Sequence, residues 1–289
     1  MSDYQSIFKD ALFAGQNVIV TGGGSGIGRC MAHELAALGA HVIITGRQQV
    51  KLDRVADEIT QDGGLVQTQA FDIRDEDVVR DNVADIVSRV GAINGLVNNA
   101  GGQFTAPMKD ITQKGWETVL RTNLTGGFLM SREVLNQSMH KTGGAIVNMV
   151  ADFWNAMPRM GHSGAARAGM DNFTKTAAME WVHFGVRVNA VAPGLIATSG
   201  LETYDEEHKE TIRNRAKKIP VRRLGTESEV SALVLFLLSP AASFITGETV
   251  RIDGGTPNMT INYDIPDHPG IAPFDGFHRA VVPDLSRPE

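Results

Sequence analysis

The chain has 289 residues, 42% of them apolar, with 27 Lys and Arg against 33 Asp and Glu for a formal net charge of −6. That length suits one large α/β domain or two small ones, and the acidic balance argues against binding nucleic acid through its phosphate backbone. The single cysteine, Cys30, excludes a disulfide scaffold or a thiolate metal cage, and no apolar run reaches the roughly 18 residues of a membrane span.

The opening MSDYQSIFKD is too polar for a secretory signal, so the expectation is a soluble cytoplasmic protein without a membrane partner. Asn17–Thr21 (NVIVT) reads as the first strand and runs into Gly22-Gly23-Gly24-Ser25-Gly26-Ile27-Gly28, with a helix over 25–39. Glycines between a strand and a helix let a pyrophosphate approach backbone N–H groups, where the helix dipole also favours an anion. Thr21, Gly22, Gly24, Ser25, Gly26, Ile27 and Gly28 are therefore a candidate dinucleotide cradle, a plain turn being the alternative. The second strand, 41–45, ends in Thr45-Gly46-Arg47 where an NAD-preferring site places an acid near the adenosine ribose. A guanidinium there pairs with a phosphate, so Arg47 favours NADP(H) unless it is merely a solvated helix start.

A helix over 48–62 leads to a third strand, 66–71, and then to Asp72 and Ile73. Asp72 either accepts from the adenine amino group or caps the helix over 75–91. The fourth strand, Gly95–Asn98, is followed by Asn99, Ala100 and Gly101, a loop placed to pass beneath the cofactor. Helices over 119–140, 163–184 and 227–238 alternate with strands 145–150, 186–192 and Thr249–Ile252. Strand, crossover and strand repeated this way predict an α/β fold: a Rossmann-type, doubly wound parallel sheet in a single domain. The domain is expected over 1–255, with a Pro-rich tail over 256–289 that wraps the surface or a neighbouring subunit, or lacks order in part.

In these motifs and their order the chain resembles the short-chain dehydrogenases/reductases, over residues 15–255. The resemblance rests on the glycine turn, Asn98-Asn99-Ala100-Gly101, Asn123-Leu124-Thr125-Gly126 and Arg187-Val188-Asn189-Ala190-Val191-Ala192-Pro193-Gly194. Within the family it is most similar to the peroxisomal trans-2-enoyl-CoA reductases, through LVNNAGGQF at 96–104, HSGAARAG at 162–169 and SPAASFITG at 239–247. Its last residues are Ser-Arg-Pro-Glu, so the peroxisomal address those proteins carry is not expected here. The resemblance implies an NADP(H)-dependent oxidoreductase of fatty acid metabolism and a homo-oligomer, a tetramer paired through the helices 119–140 and 163–184. It also implies cofactor contacts from Asn123, Arg167, Pro193, Gly194, Ile196 and Thr198.

The family's catalytic Asn, Ser, Tyr and Lys are only partly present. Asn123 keeps its identity, the upstream serine falls on Val150 or Ala151, Ser163 stands at the Tyr position and Arg167 at the Lys position. A serine hydroxyl is shorter than a phenol and far less acidic, and arginine relays no proton at useful pH. Asp171 is expected to pair with Arg167 four residues earlier. Reducing a ketone needs a tuned proton donor. Reducing a C=C conjugated to a thioester sends hydride to Cβ and charge to the thioester oxygen, which needs only aimed hydrogen bonds. The expectation is therefore NADPH-dependent reduction of a trans-2-enoyl thioester, with Asn123, Ser163 and Arg167 organising the site and Gln103 contributing a hydrogen bond.

Asp152 and His162 are nearby titratable groups that read either as substrate contacts or as structural hydrogen-bonding residues, and Tyr204 is a candidate substitute donor. A carbonyl or alcohol oxidoreductase with such a donor is the alternative, and a catalytically decayed cofactor-binding scaffold or sensor is a third reading. Between Thr198 and Gly225, the cations Arg213, Arg215, Lys217, Lys218, Arg222 and Arg223 occupy eleven positions without an acid. They suit the phosphates of coenzyme A, or form a solvated face balanced by Glu202, Asp205, Glu206, Glu207 and Glu210. The eight histidines show no metal-ligand spacing, so no metal is expected.

Overall fold

In the computed structural model, which describes residues 3–203, 205–260 and 262–284, seven strands form one sheet in the order β3-β2-β1-β4-β5-β6-β7. They are β1 (Asn17–Thr21), β2 (His41–Gly46), β3 (Leu65–Ala70), β4 (Gly95–Asn98), β5 (Gly144–Met149), β6 (Val186–Pro193) and β7 (Thr249–Ile252). All six pairings are parallel. The helices are α1 (Gly26–Ala37), α2 (Gln49–Gln61), α3 (Glu76–Val90), α4 (Gln113–Leu120), α5 (Gly126–Val134), α6 (His140–Thr142), α7 (Gly161–Trp181), α8 (Glu206–Ala216) and α9 (Glu227–Leu238).

The period-2 alternation of a strand assigns side chains to the two faces. Val18, Val20, Val42 and Ile44 pack with Met31 and Leu35 of α1, Leu52 and Val55 of α2 and Val230 and Val234 of α9. Ile19, Ile43, Leu96 and Ile146 point the other way, onto Val79 and Val83 of α3, Leu129 and Val134 of α5 and Ala177 of α7. Both faces are covered, which is why the strands read as nearly unbroken apolar runs. The sheet order reverses at β1, so a crevice opens beyond its C-terminal end, between β1 and β4.

The helix expected over 119–140 begins earlier, at Gln113, where Thr112 caps it by accepting from the Gly115 N–H. Two π-helical turns, Arg121–Thr125 and Leu135–Met139, interrupt it. The additional helix α8 (EEHKETIRNRA) was invisible to periodicity because it carries almost no apolar stripe.

The tail runs back along the body. The Ile271 N–H donates to Val221 O, Thr226 Oγ1 to Phe274 O, and the Gly276 and Phe277 N–H groups to Ser228 Oγ. Phe277 is buried with Tyr4 and Cys30. Among the described residues, no helix is long and apolar enough to cross a membrane.

Candidate active site

A groove of about 390 Å³ follows the crevice at the β1–β4 switch point. Its floor is the glycine turn: Gly22, Gly24, Ser25, Gly26, Ile27 and Gly28 line it, as do Arg47, Asp72, Ile73, Asn99, Ala100, Gly101 and Thr198. A side chain at Gly28 would collide with Gly22 O and with Asn99 Nδ2, so the helix meets the strand at a distance only glycine permits. Gly22 has φ +70, a conformation that L side chains rarely adopt.

Three cations are among the residues that line the groove. Arg47 is joined by Lys51 and Arg74, neither of which the motif pattern singled out, although Lys51 lies one helical turn beyond Arg47. Asp72 does not cap α3; Asp75 does, accepting from the Val78 N–H. Asp72 instead accepts from Arg74 Nε at 2.9 Å and Nη2 at 2.5 Å, and these hydrogen bonds hold its carboxyl below the usual range. Thr45 Oγ1 is buried in the groove wall without a partner, which fits a groove shaped for a polar ligand.

Six of the expected cofactor contacts, Thr21, Asn123, Arg167, Pro193, Gly194 and Ile196, are not among the residues that line this groove. Thr21 is buried, donates to Val97 O and accepts from the Asn99 and Ala100 N–H groups, so it braces the loop from beneath. Ile196 is 9% exposed and packs toward Gly225. Neither these two nor Pro193 and Gly194 line the groove; Gly194 packs against Asp253.

Next to Gly101 the groove meets the candidate catalytic side chains. Asn123 sits in the first π-helical turn, and both ends of its amide are taken by one residue. Its Nδ2 donates to Gly102 O at 2.9 Å, and its Oδ1 accepts from the Gly102 N–H at 2.9 Å. It therefore fixes the loop, and this pair uses only one of the two N–H donors on Nδ2. Arg167, two turns into α7, reaches back to donate from Nη1 to Met149 O at 2.5 Å. A methyl on Gly101 would lie 2.7 Å from Arg167 Nη2, so the guanidinium abuts the groove. Burial lowers its pKa to about 10, leaving it cationic at neutral pH.

The expected Arg167–Asp171 pair does not form. Asp171 accepts from Lys175 Nζ at 2.6 Å and from Thr249 Oγ1 at 2.6 Å. Ser163 is fully buried and donates to Gln103 Oε1 at 2.7 Å, which orients the Gln103 amide and leaves its Nε2 available. His162, also fully buried, accepts from the Ser163 N–H at Nδ1 while Nε2 has no partner. Phe104 meets the His162 ring edge-on, with centroids 4.5 Å apart.

Beyond the ends of β5 and β7, Asp152 Oδ1 and Asp253 Oδ2 are buried without hydrogen-bond partners. Burial raises the Asp152 pKa, and the charge of Asp253 raises it further against the opposing Arg251. Neither Asp152 nor His162 is thus fully satisfied as a structural residue. Tyr204 lies outside the described residues. Tyr4 is buried against Cys30, and Tyr263 lines a cleft of the tail.

Sequence spacing gave no metal pattern, yet the fold gathers His33, Asp62 and His278 with ligand atoms within 4.8 Å of one another. Guanidiniums already occupy the acids there. Arg279 donates to both oxygens of Asp62, and Arg29 Nε to Glu58 at 2.6 Å, so the cluster clasps the tail as an ion-pair network.

The family model described as enoyl-(acyl carrier protein) reductase matches residues 22–257. The "probable 2,4-dienoyl-CoA reductase" of Bacillus subtilis is 39% identical over 242 residues, spanning 82% of this chain and 95% of that one. The structure of the citronellol catabolism dehydrogenase (AtuB) of Pseudomonas aeruginosa PAO1 superposes with a TM-score of 0.79 at 60% identity, covering 87% and 98% of the two chains. A structure from Beutenbergia cavernae, described as an NAD(P)-dependent gluconate 5-dehydrogenase with bound NADP, matches with a TM-score of 0.78 at 32% identity, covering 86% of this chain and all of that one.

Proposed function

The chain belongs to the short-chain dehydrogenase/reductase family, an oxidoreductase group that works with NAD(P)(H), and we propose that it reduces the C2–C3 double bond of a trans-2-enoyl thioester, using NADPH. The observation that carries this reading is at the positions that the resemblance gives to the family's Tyr and Lys: Ser163 is buried with its hydroxyl committed to Gln103, and Arg167 presents a guanidinium. Among the described residues such a site offers no phenol to protonate an alkoxide but retains a side-chain amide and a fixed positive charge for an oxyanion. The dienoyl-CoA reductase likeness at 39% identity supports the same reaction class.

The glycine turn would hold the pyrophosphate, Arg47, Lys51 and Arg74 the 2′-phosphate, and Arg167 the nicotinamide end. When bound, NADPH supplies the hydride. Gln103, oriented by Ser163, donates from Nε2 to the thioester oxygen as it takes on negative charge. Arg167 adds a fixed positive charge beside Gly101, and Asn123 holds Gly102 and so keeps that loop in register. Asp152, whose pKa is raised by burial and by Asp253, is the group placed to give a proton to the α-carbon.

A second reading, a carbonyl or alcohol oxidoreductase, is favoured by the dehydrogenase name of the 60% identical relative. One experiment separates the two: NADPH consumption measured side by side with enoyl-CoAs, dienoyl-CoAs and a panel of ketones and aldehydes. Turnover of the thioesters is the expected result. Turnover of carbonyls alone, or tight NADPH binding without turnover of either class, overturns the proposal.

A further inference from the structure

We propose that the cleft between the end of α8 and the tail binds the nucleotide end of coenzyme A, its 3′-phosphoadenosine diphosphate; this rests on the thioester reading above. The six cations of the 213–223 stretch do not act alike. Arg213 is held by Glu210 at 3.3 Å and faces Glu206, and Arg223 forms a forked pair with Glu229 at 2.6 and 2.9 Å. Arg222 is paired with Asp267. Lys217 and Lys218 have no ion pair among the described residues, and both line a cleft of about 510 Å³ together with Arg222 and His268.

The cleft also carries apolar surface. Met259 and Tyr263 line it while remaining 50% and 66% exposed, so a thioether and an aromatic ring are left uncovered in the cleft that the two lysines line. Asp264 is the acid in the lining, and it is outnumbered. A flat base with several phosphates matches such a surface: ring on ring, and ammonium groups on the anions. The volume falls within the range of small-molecule sites.

The cleft also lies next to the chemistry. Gly255 lines it, two residues beyond Asp253, which packs against Gly194 at the C-terminal edge of the sheet. A ligand with its phosphates at Lys217 and Lys218 can therefore send a flexible arm toward Asp152 and Gln103. An acyl carrier protein would present only one phosphodiester, which gives the uncovered ring nothing to stack on.

The test compares a trans-2-enoyl-CoA with the corresponding pantetheine thioester, which lacks the nucleotide. In Lys217→Ala/Lys218→Ala, kcat/KM for the CoA thioester should fall about tenfold, through KM, while the pantetheine thioester is unaffected. Lys217→Glu should enlarge the loss, and raised ionic strength should shrink the difference between wild type and variant. Equal losses on both thioesters, or no loss on either, overturn the assignment. Free coenzyme A binding, measured by calorimetry on wild type and double variant, needs no turnover. Unweakened binding in the variant overturns the cleft, whereas absent turnover with weakened binding overturns only the proposed reaction.

Discussion

Asn123 and Gly102 are joined through two hydrogen bonds of 2.9 Å, each the mirror of the other: the side-chain amide takes the backbone N–H and returns a proton to the carbonyl. The clasp joins the loop after β4 to a π-helical turn, a local widening that a regular helix would not supply at that point. Asn123→Ala removes both hydrogen bonds from Gly102, at about 0.5–1.5 kcal/mol each. Turnover should fall ten- to a hundredfold, with a smaller loss for Asn123→Asp, which keeps the acceptor. Unchanged kcat/KM in the alanine variant would refute a role for the clasp.

The proposed NADPH preference rests on the cations that line the groove, Arg47 first. Arg47→Ala should raise KM for NADPH by roughly ten- to a hundredfold, the scale of one lost charge-assisted phosphate contact, and leave NADH nearly unchanged. Steady-state kinetics with both nucleotides checks this. Equal effects on the two would remove Arg47 from phosphate recognition.

Asp152 is a candidate acid that works only while protonated. Its pKa is raised chiefly by burial and then by Asp253, so kcat should decline as pH climbs through that raised value. Asp152→Asn should lower kcat and abolish this limb of the pH profile. A variant that retains the wild-type profile would exclude Asp152 as the donor.

Glu227, at the start of α9, is 6% exposed, and a methyl on Gly26 would meet its Oε1 at 3.9 Å. Burial, with Asp275 adding and Arg29 opposing, raises its pKa from 4.5 to about 7. The folded value exceeds the unfolded one, so its contribution to stability is complete below pH 4.5 and disappears as pH rises through about 7. Glu227→Gln removes that slope. The variant's Tm should exceed the wild type's by an amount that grows between pH 5 and 8, representing up to about 3 kcal/mol. A constant difference across that range would contradict the assignment.

The clasp on the tail should open in acid. Burial lowers the His33 pKa to about 4. Glu58 and Asp62 are also held low, hydrogen bonds from Arg29 and His33 and from Arg279 and His278 outweighing burial. All three folded values lie below the unfolded ones, so this stability is present at neutral pH and drains away as pH falls, from about 6.5 downward for His33. Hydrogen exchange over residues 274–280 should accelerate sharply at pH 4.5 relative to pH 7.5, beyond the intrinsic rate change. Equal protection at both values would show that the clasp does not hold the tail.

Strands and the glycine turn were legible because their signals are local: an apolar run, then residues that only a tight turn needs. β1, β4 and β7 fall where the apolar runs place them. Partnerships were harder to read. Asp171 has a cation one helical turn away on each side, and spacing alone cannot choose between Arg167 and Lys175; burial of Arg167 against Met149 O decides it. Asn123 was recognisable as a site residue, but its clasp on Gly102 depends on a π-helical turn that leaves no sequence period. Arg74 and Glu227 reach their places through tertiary packing, with no motif to announce them. The metal-like grouping of His33, Asp62 and His278 spans segments far apart in the chain.

The ring of Phe277 stacks on that of Tyr4, 5.7 Å between centroids, and together they cover Cys30. The first and last described stretches of the chain are thus stapled at one point, across a loop whose closure entropy grows only slowly with its length. During synthesis the sheet and its helices can assemble while this point is still bare, because its second half is translated last. The Cys30 thiol is shielded by residues from both stretches, and its alkylation rate in the folded protein reads whether that staple is closed.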